Sequence, residues 1–489
     1  MGLLRPAALV VVLAALPFAA AASAKTTTRL AAEQRSAPTV PLAGIREHLR
    51  AFADIARRNG GNRAAGTPGY TASTEYVARH MRAAGYRVSF QPVTFPFVTD
   101  RSPPTLRTPG ETPWRAGEDH ATLAYSGSGR VEGPVVAVDL LVPSPRENAS
   151  TSGCETADFT GFPRGAVVLL QRGTCTFRVK VENAIAAGAS AAVVFNEGSP
   201  ERRDLFSGTL GVPQARIPVL AVSFAVGETL RNGTREGRTG VTVELSADVI
   251  AQTRRTRNVI AESRTGNAAN LVVVGAHLDG VRDGAGINDN ASGSAMILEV
   301  AEQLARTKLR NRLRFVWRGA EELGLFGAQH YVSRLGAVAR QRHALYLNFD
   351  MVGSPNYALF VYDGDGSTSG ERGVTAPPGS APIERVFARY FAARGLAYRE
   401  IGMGGSDHLP FARAGIPVGG LFTGAGGRKS EADAAAFGGR AGQPYDPCYH
   451  RSCDTLANLS DTALTRVAQA AAHAIALLGR DVRSVRAAG

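Results

Sequence analysis

Lysine is nearly missing from this chain: Lys25, Lys180, Lys308 and Lys429 are the only ones among 55 basic residues. The formal net charge of +13 is therefore carried by arginine. With abundant Ala and Gly, that bias fits a GC-rich coding sequence better than selection for a polyanion. No arginine–lysine block with interleaved aromatics occurs, so a nucleic-acid partner is not expected. Long apolar runs are lacking too. Residues 7–16 are apolar, but Pro17 ends the run well short of a membrane span. With Arg5 ahead of it and Ala22-Ser23-Ala24 behind, the stretch reads as a cleavable export signal over 1–24. There is no cysteine at the cleavage point, so no lipoprotein anchor is expected. The reading is a secreted, extracellular protein without a stable membrane anchor.

Cysteine is equally scarce, with Cys154, Cys175, Cys448 and Cys453 alone. An even count in an exported chain reads as two disulfides, and four cysteines allow three pairings. Proximity favours Cys154 with Cys175 and Cys448 with Cys453. A four-thiolate zinc site is the alternative, but neither spacing supplies the close C-x-x-C knuckle usual there.

What remains is a 489-residue chain with 44% hydrophobic and 20% charged residues, a folded globular composition with room for two or three domains. Residues 25–39 read as a pro-segment or disordered. Helices are expected over 45–58 and 72–84, and a strand over 88–98, before a linker holding Pro103, Pro104, Pro109 and Pro113. Strand-like runs at 135–138, 166–170 and 191–195 place a separate strand-rich insert over 117–249. From 250 onward, alternating strands and helices predict an α/β fold: a doubly wound, mostly parallel sheet covered on both faces. The segments are thus 1–24, 25–39, 40–116, 117–249 and 250–489.

The chemistry gathers where those strands end. The apolar run 271–274 (LVVV) leads to His277 and Asp279, then through a glycine-broken loop to Asn288-Asp289-Asn290 and a helix over 291–304. A second run, 313–317, is followed by Glu321 and Glu322. A third, 344–349, ends in Asp350, and His450 lies between Cys448 and Cys453. Taken singly, His277 reads as a strand-end histidine and Asp289 as a helix cap. Together, imidazoles and carboxylates at the ends of separate elements are what a divalent metal site needs, in the crevice where open α/β sheets bind ligands.

The strings GAHLD, GINDNASG, RGAEELGLFGAQHYV, LNFDMVG, GSDHLPFARAGIPVGGLFTGA and PYDPCYHRSCDT carry a family resemblance. In them the chain resembles the M28 metallopeptidases, in the secreted branch of co-catalytic zinc aminopeptidases. Residues 164–199 resemble a protease-associated (PA) domain, set into the chain. The resemblance implies a zinc-exopeptidase fold with two Zn2+ per chain, in which Asp289 bridges the metals. His277 and Asp350 complete one site, and Glu322 and His450 the other. Two metals about 3.5–4 Å apart activate water, polarise the carbonyl and stabilise the oxyanion.

Glu321 is expected as general base, Tyr449 as an oxyanion donor, and Asp279 as the partner of the second nitrogen of His277. Met351 and Phe422 are expected to offer apolar surface to the first residue of a substrate. Gly405 stands where close relatives often carry arginine. Ser406-Asp407-His408 cannot form a nucleophilic triad, since consecutive residues do not converge from different elements. The expected function is removal of N-terminal residues from peptides or proteins by a monomer. The competing classes are a related metallo-carboxypeptidase or glutaminyl cyclase, and a non-catalytic binding protein on the same fold.

Overall fold

The computed structural model describes residues 37–199, 202–211, 214–368 and 374–488. The export signal expected over 1–24 lies outside them. The chain forms two compact units, Met1–Val93 with Arg255–Gly489, and Thr94–Arg254.

Helices α1 (Leu42–Arg58) and α2 (Pro68–Ala83) come first. Helix α2 begins earlier than its apolar periodicity, because the Thr67 hydroxyl accepts the Tyr70 N–H and Pro68 sits where its missing N–H costs nothing. Strand β1 (Arg87–Arg107) then runs straight through Pro103 and Pro104, where a linker was expected. Proline is compatible with extended backbone, and its missing N–H is tolerated on a strand with one neighbour; β1 pairs with a single strand.

In the unit Thr94–Arg254 the strands are β2 (His120–Thr122), β3 (Gly129–Ala137), β4 (Val167–Gln171), β5 (Ala191–Phe195), β6 (Val219–Val222) and the first part of β7 (Gly237–Glu262). Strands β3, β4, β5 and β6 run parallel, flanked by antiparallel β7 and β2. With helix α4 (Phe224–Arg231) they enclose a core of Leu169, Val193, Phe195, Leu220 and Leu245, and helix α3 (Phe177–Ala187) belongs to the same unit. The Cys154–Cys175 disulfide staples this unit, with Cα atoms 5.8 Å apart. The unit reaches beyond 117–249, since the end of β1 belongs to it.

The other unit holds β8 (Asn267–His277), β9 (Asn311–Arg318), β10 (His343–Phe349), β11 (Phe360–Tyr362), β12 (Arg399–Ile401) and β13 (Val418–Phe422). Their order is β12-β11-β13-β10-β8-β9, with residues 259–262 of β7 antiparallel beside β9. Strands β13, β10, β8 and β9 are parallel, and β11 is antiparallel to β13. The covering helices are α5 (Gly293–Leu304), α6 (Phe326–Ser333), α7 (Ser380–Ala392), α8 (His408–Arg413) and α9 (Asp461–Arg480). Alternation along β8 sorts the two faces. Val272, Val274 and Ala276 pack toward α1, α2, α5, α7 and α9, while Leu271 and Val273 pack toward α6 and α8. This two-faced covering of a mostly parallel sheet is the expected doubly wound architecture. Among the described residues no helix is long and apolar enough to cross a membrane.

Candidate metal centre

Parallel β8, β9 and β10 end side by side, and their carboxyl ends deliver the side chains. His277 is the last residue of β8, Glu321 and Glu322 follow β9, and Asp350 follows β10. Asp289 lies in the irregular turn Ile287–Ser292 ahead of α5. His450 comes from the loop closed by the Cys448–Cys453 disulfide, whose Cα atoms are 5.3 Å apart.

These residues converge. His277 Nε2 is 3.1 Å from Asp350 Oδ1 and 3.3 Å from Asp289 Oδ1. His450 Nε2 is 3.2 Å from Asp289 Oδ2 and 3.0 Å from Glu322 Oε2. Asp289 thus turns one oxygen to each histidine. Candidate ligand atoms of His277, Asp289 and Glu322, and of His277, Glu321 and Asp350, form groups within 4.8 Å of one another.

The donor chemistry fits divalent metal. His277 Nδ1 donates to the main-chain oxygen of Asp279 at 3.0 Å, so Nε2 can offer a lone pair toward the carboxylates. Glu322 Oε1 is buried with no hydrogen-bond partner. Nitrogen and carboxylate donors without thiolate suit zinc.

The titration of the bare chain expresses the same crowding. Burial raises Glu322 to about 7, with the Asp289 charge adding to it. Burial also lifts Glu321 well above the carboxylate range, although the His277 charge opposes it. For His277, burial works against the charged form, but Asp350 and Glu321 push the pKa well above its usual value. His450 reaches about 10, because its bonds to Asp289 and Glu322 outweigh burial. Asp289 is held low by its hydrogen bonds from both histidines, against the effect of burial. Protons or cations must neutralise such a cluster.

The outer partners differ from expectation in one respect. The Asp279 carboxylate was expected to hold the second nitrogen of His277, yet Oδ1 lies 3.8 Å from Nδ1. The main-chain carbonyl reaches the ring instead, and the carboxylate accepts the Glu321 N–H at 3.3 Å. Asp279 therefore links the first strand end to the second. Tyr449 stacks on His450 with ring centroids 3.8 Å apart. Burial, followed by the charges of Asp289, Glu322, Glu321 and Asp350, raises its phenol, so it stays a donor. Met351 is 2% exposed and presents almost no free surface, whereas Phe422 is half-buried against Phe360.

Several supporting residues escaped the sequence reading. Asp454 accepts the Asn288 N–H at 2.8 Å through Oδ1 and the Asp289 N–H at 3.0 Å through Oδ2. Ser406 donates to Asp350 Oδ2 at 2.7 Å and accepts from Asn348 at 3.0 Å. The fully buried Arg63 donates to the oxygens of Leu278, Ala285 and Gly286, pinning the loop between His277 and Asp289. Ala320, Met351 and His450 hold left-handed backbone at φ 59°, 47° and 57°, each beside or within a site position. Such backbone is costly for residues with a side chain, and it clusters where geometry is over-determined by function.

Comparisons with known proteins agree with this geometry. The model of peptidase family M28 matches residues 258–475, and the PA domain model matches residues 131–230. An aminopeptidase of Pseudomonas aeruginosa is 46% identical over 425 residues, covering 86% of this chain and 77% of that protein. Among solved structures, the aminopeptidase from Aneurinibacillus sp. strain AM-1 superposes with a TM-score of 0.70 at 26% identity, covering 89% of this chain and 93% of that one. A zinc aminopeptidase from Bacillus subtilis shares the fold, with a TM-score of 0.64 at 24% identity over 90% of this chain and 96% of that one. Site, motifs and extended identity lead to one conclusion: the chain belongs to peptidase family M28 and carries a PA domain within it.

Proposed function

We propose that two zinc ions occupy the cluster, one held by His277 and Asp350 and the other by Glu322 and His450, with Asp289 shared. The protein is an aminopeptidase, a hydrolase that removes N-terminal residues from peptides. The observation that carries the two-ion reading is the division of the Asp289 oxygens between His277 at 3.3 Å and His450 at 3.2 Å. Bound there, zinc supplies Lewis acidity that acidifies a water and polarises the scissile carbonyl.

The remaining work falls to the chain. Glu321, its main chain tied to Asp279, takes the proton of the attacking water and returns it to the leaving amine. Tyr449 donates its phenol to the developing oxyanion. Glu321 and Asp350 are the carboxylates placed to receive a free ammonium group. Phe422 offers the apolar contact for the first side chain. Burying such a side chain is worth roughly 1.5–3 kcal/mol, so the preference is graded. The export-signal pattern expected over 1–24 and the two disulfides support secretion.

The test is hydrolysis of Leu-p-nitroanilide, its N-acetylated form, and N-blocked peptides with a free C-terminus, before and after chelation. Cleavage of the unblocked amide alone, lost with the chelator and restored by zinc, is the expected result. Efficient cleavage of blocked peptides at their last bond would instead make the enzyme a carboxypeptidase.

A further inference from the structure

A second group of metal-ligand side chains lies among the helices and shares no residue with the centre at the strand ends. It is formed by His48 on α1, His80 on α2, and Glu299 and Glu302 on α5. Glu299 and Glu302 stand three residues apart, so both project from one face of α5. Ligand atoms of His48, His80 and Glu302 lie within 4.8 Å of one another.

The geometry around His48 carries the argument. His48 is 3% exposed, and its Nδ1 lies 2.7 Å from the Tyr76 hydroxyl, which fixes the ring. Its Nε2 is buried and has no hydrogen-bond partner. It faces Glu299 Oε2 at 3.4 Å and Glu302 Oε2 at 3.7 Å. An imidazolium paired directly with a carboxylate closes to about 2.7–2.9 Å. Two donors on a shared tetrahedral zinc, with bonds of about 2.0–2.1 Å, stand roughly 3.3 Å apart. The 3.4 Å between His48 Nε2 and Glu299 Oε2 is the spacing of co-ligands. His80 adds a second imidazole, its ring edge-on to His48 at 5.0 Å and its Nδ1 hydrogen-bonded to Glu302 Oε1 at 2.8 Å, a direct contact that an ion would replace.

The packing leaves room for the carboxylates. A Cβ at position 44 would meet Glu299 Oε2 at 2.1 Å, so Gly44 is what lets that side chain lie against α1. The Tyr76 hydroxyl on Nδ1 is the kind of outer partner that orients a metal-ligating histidine.

We propose that His48, His80, Glu302 and Glu299 form a third divalent-metal site, of zinc type, that cross-links α1, α2 and α5. Helix α5 follows the turn Ile287–Ser292 that holds Asp289, so the ion would brace the helix on which the central loop ends. Its role is structural, and it is independent of the chemistry at the strand ends.

The test is zinc content of the full chain after loading with zinc chloride and desalting, read by mass spectrometry beside the melting temperature. To separate the sites, the same measurement is made in a His277→Ala/His450→Ala background. About one equivalent should persist in that background and disappear on adding His80→Asn, a change at a partly exposed residue. Glu302→Gln provides a second variant should His80→Asn fold poorly. With the strand-end centre intact, His80→Asn should lose about one equivalent and the zinc-dependent rise in melting temperature, while still cleaving Leu-p-nitroanilide. Equal zinc content with and without either substitution, in both backgrounds, would overturn the proposal and leave the cluster as a set of ion pairs.

Discussion

Asp454→Asn is the perturbation that most directly tests how the metal centre is held. Each oxygen of the buried Asp454 carboxylate accepts one backbone N–H, from Asn288 at 2.8 Å and from Asp289 at 3.0 Å. Asparagine keeps one acceptor and turns an NH2 group toward the other N–H. One charge-assisted bond, worth about 1.5–3 kcal/mol, is lost, and a buried N–H is left unpaired. A cost on the order of 3 kcal/mol results, and it falls on the backbone that sets the direction of the Asp289 side chain.

At about 1.4 kcal/mol per tenfold, that cost corresponds to roughly a hundredfold weaker zinc binding if the loop relaxes only in the metal-free state. This is the upper end of the 10–100-fold range typical of outer-sphere changes. The assay is competition with a chromophoric chelator, paired with kcat at saturating zinc. Zinc affinity should fall while kcat at saturation largely recovers. Unchanged zinc affinity with a collapsed kcat would refute the reasoning, because Asp454 would then act on the reaction and not on the placement of Asp289.

Glu321→Gln should retain zinc and lose turnover by about 10²–10⁴-fold, whereas Glu322→Gln should lose zinc affinity first; metal analysis beside kcat separates them, and swapped phenotypes reverse the assignment. A pH effect is expected away from the centre, at His343. Burial lowers its pKa to about 4; its bond to the Ala339 oxygen and the Glu262 charge work against that shift, while the Arg314 and Arg486 charges add to it; its Nε2 meets the Tyr331 hydroxyl. The unfolded chain, near pH 6.5 for histidine, therefore binds the extra proton between about pH 4 and 6.5. Stability from this group is complete above about 6.5 and lost as pH falls toward 4, by up to about 3 kcal/mol. His343→Gln should flatten denaturant midpoints across that window, and an unaltered slope would rule the group out.

Much of the centre was legible because parallel strands buried on both faces read as apolar runs, and ligands collect beyond their carboxyl ends. The run 271–274 lies within β8 and His277 ends it, and the same logic located Glu321, Glu322 and Asp350. The resemblance in the PYDPCYHRSCDT string added His450. Sequence proximity was enough for both disulfides, since short separations leave the chain few other partners.

Tertiary structure alone decided the rest, because those features depend on what meets across long separations. Arg63 looked like one more arginine until the fold buried its guanidinium against three carbonyls more than two hundred residues away. The Asp279 carboxylate was expected to hold His277, but the main-chain oxygen reaches the ring instead, because that choice depends on the backbone path between them. The prolines of β1 read as a linker because their tolerance depends on having one neighbouring strand, which no local pattern reveals. Left-handed backbone at Ala320, Met351 and His450 runs against residue preference and persists because the surrounding contacts outweigh it. The sequence by itself thus marked candidate metal ligands and the strand ends at which His277, Glu322 and Asp350 stand. Only the folded chain decided how Asp289 divides its oxygens, and that three distant helices bring His48, His80, Glu299 and Glu302 together.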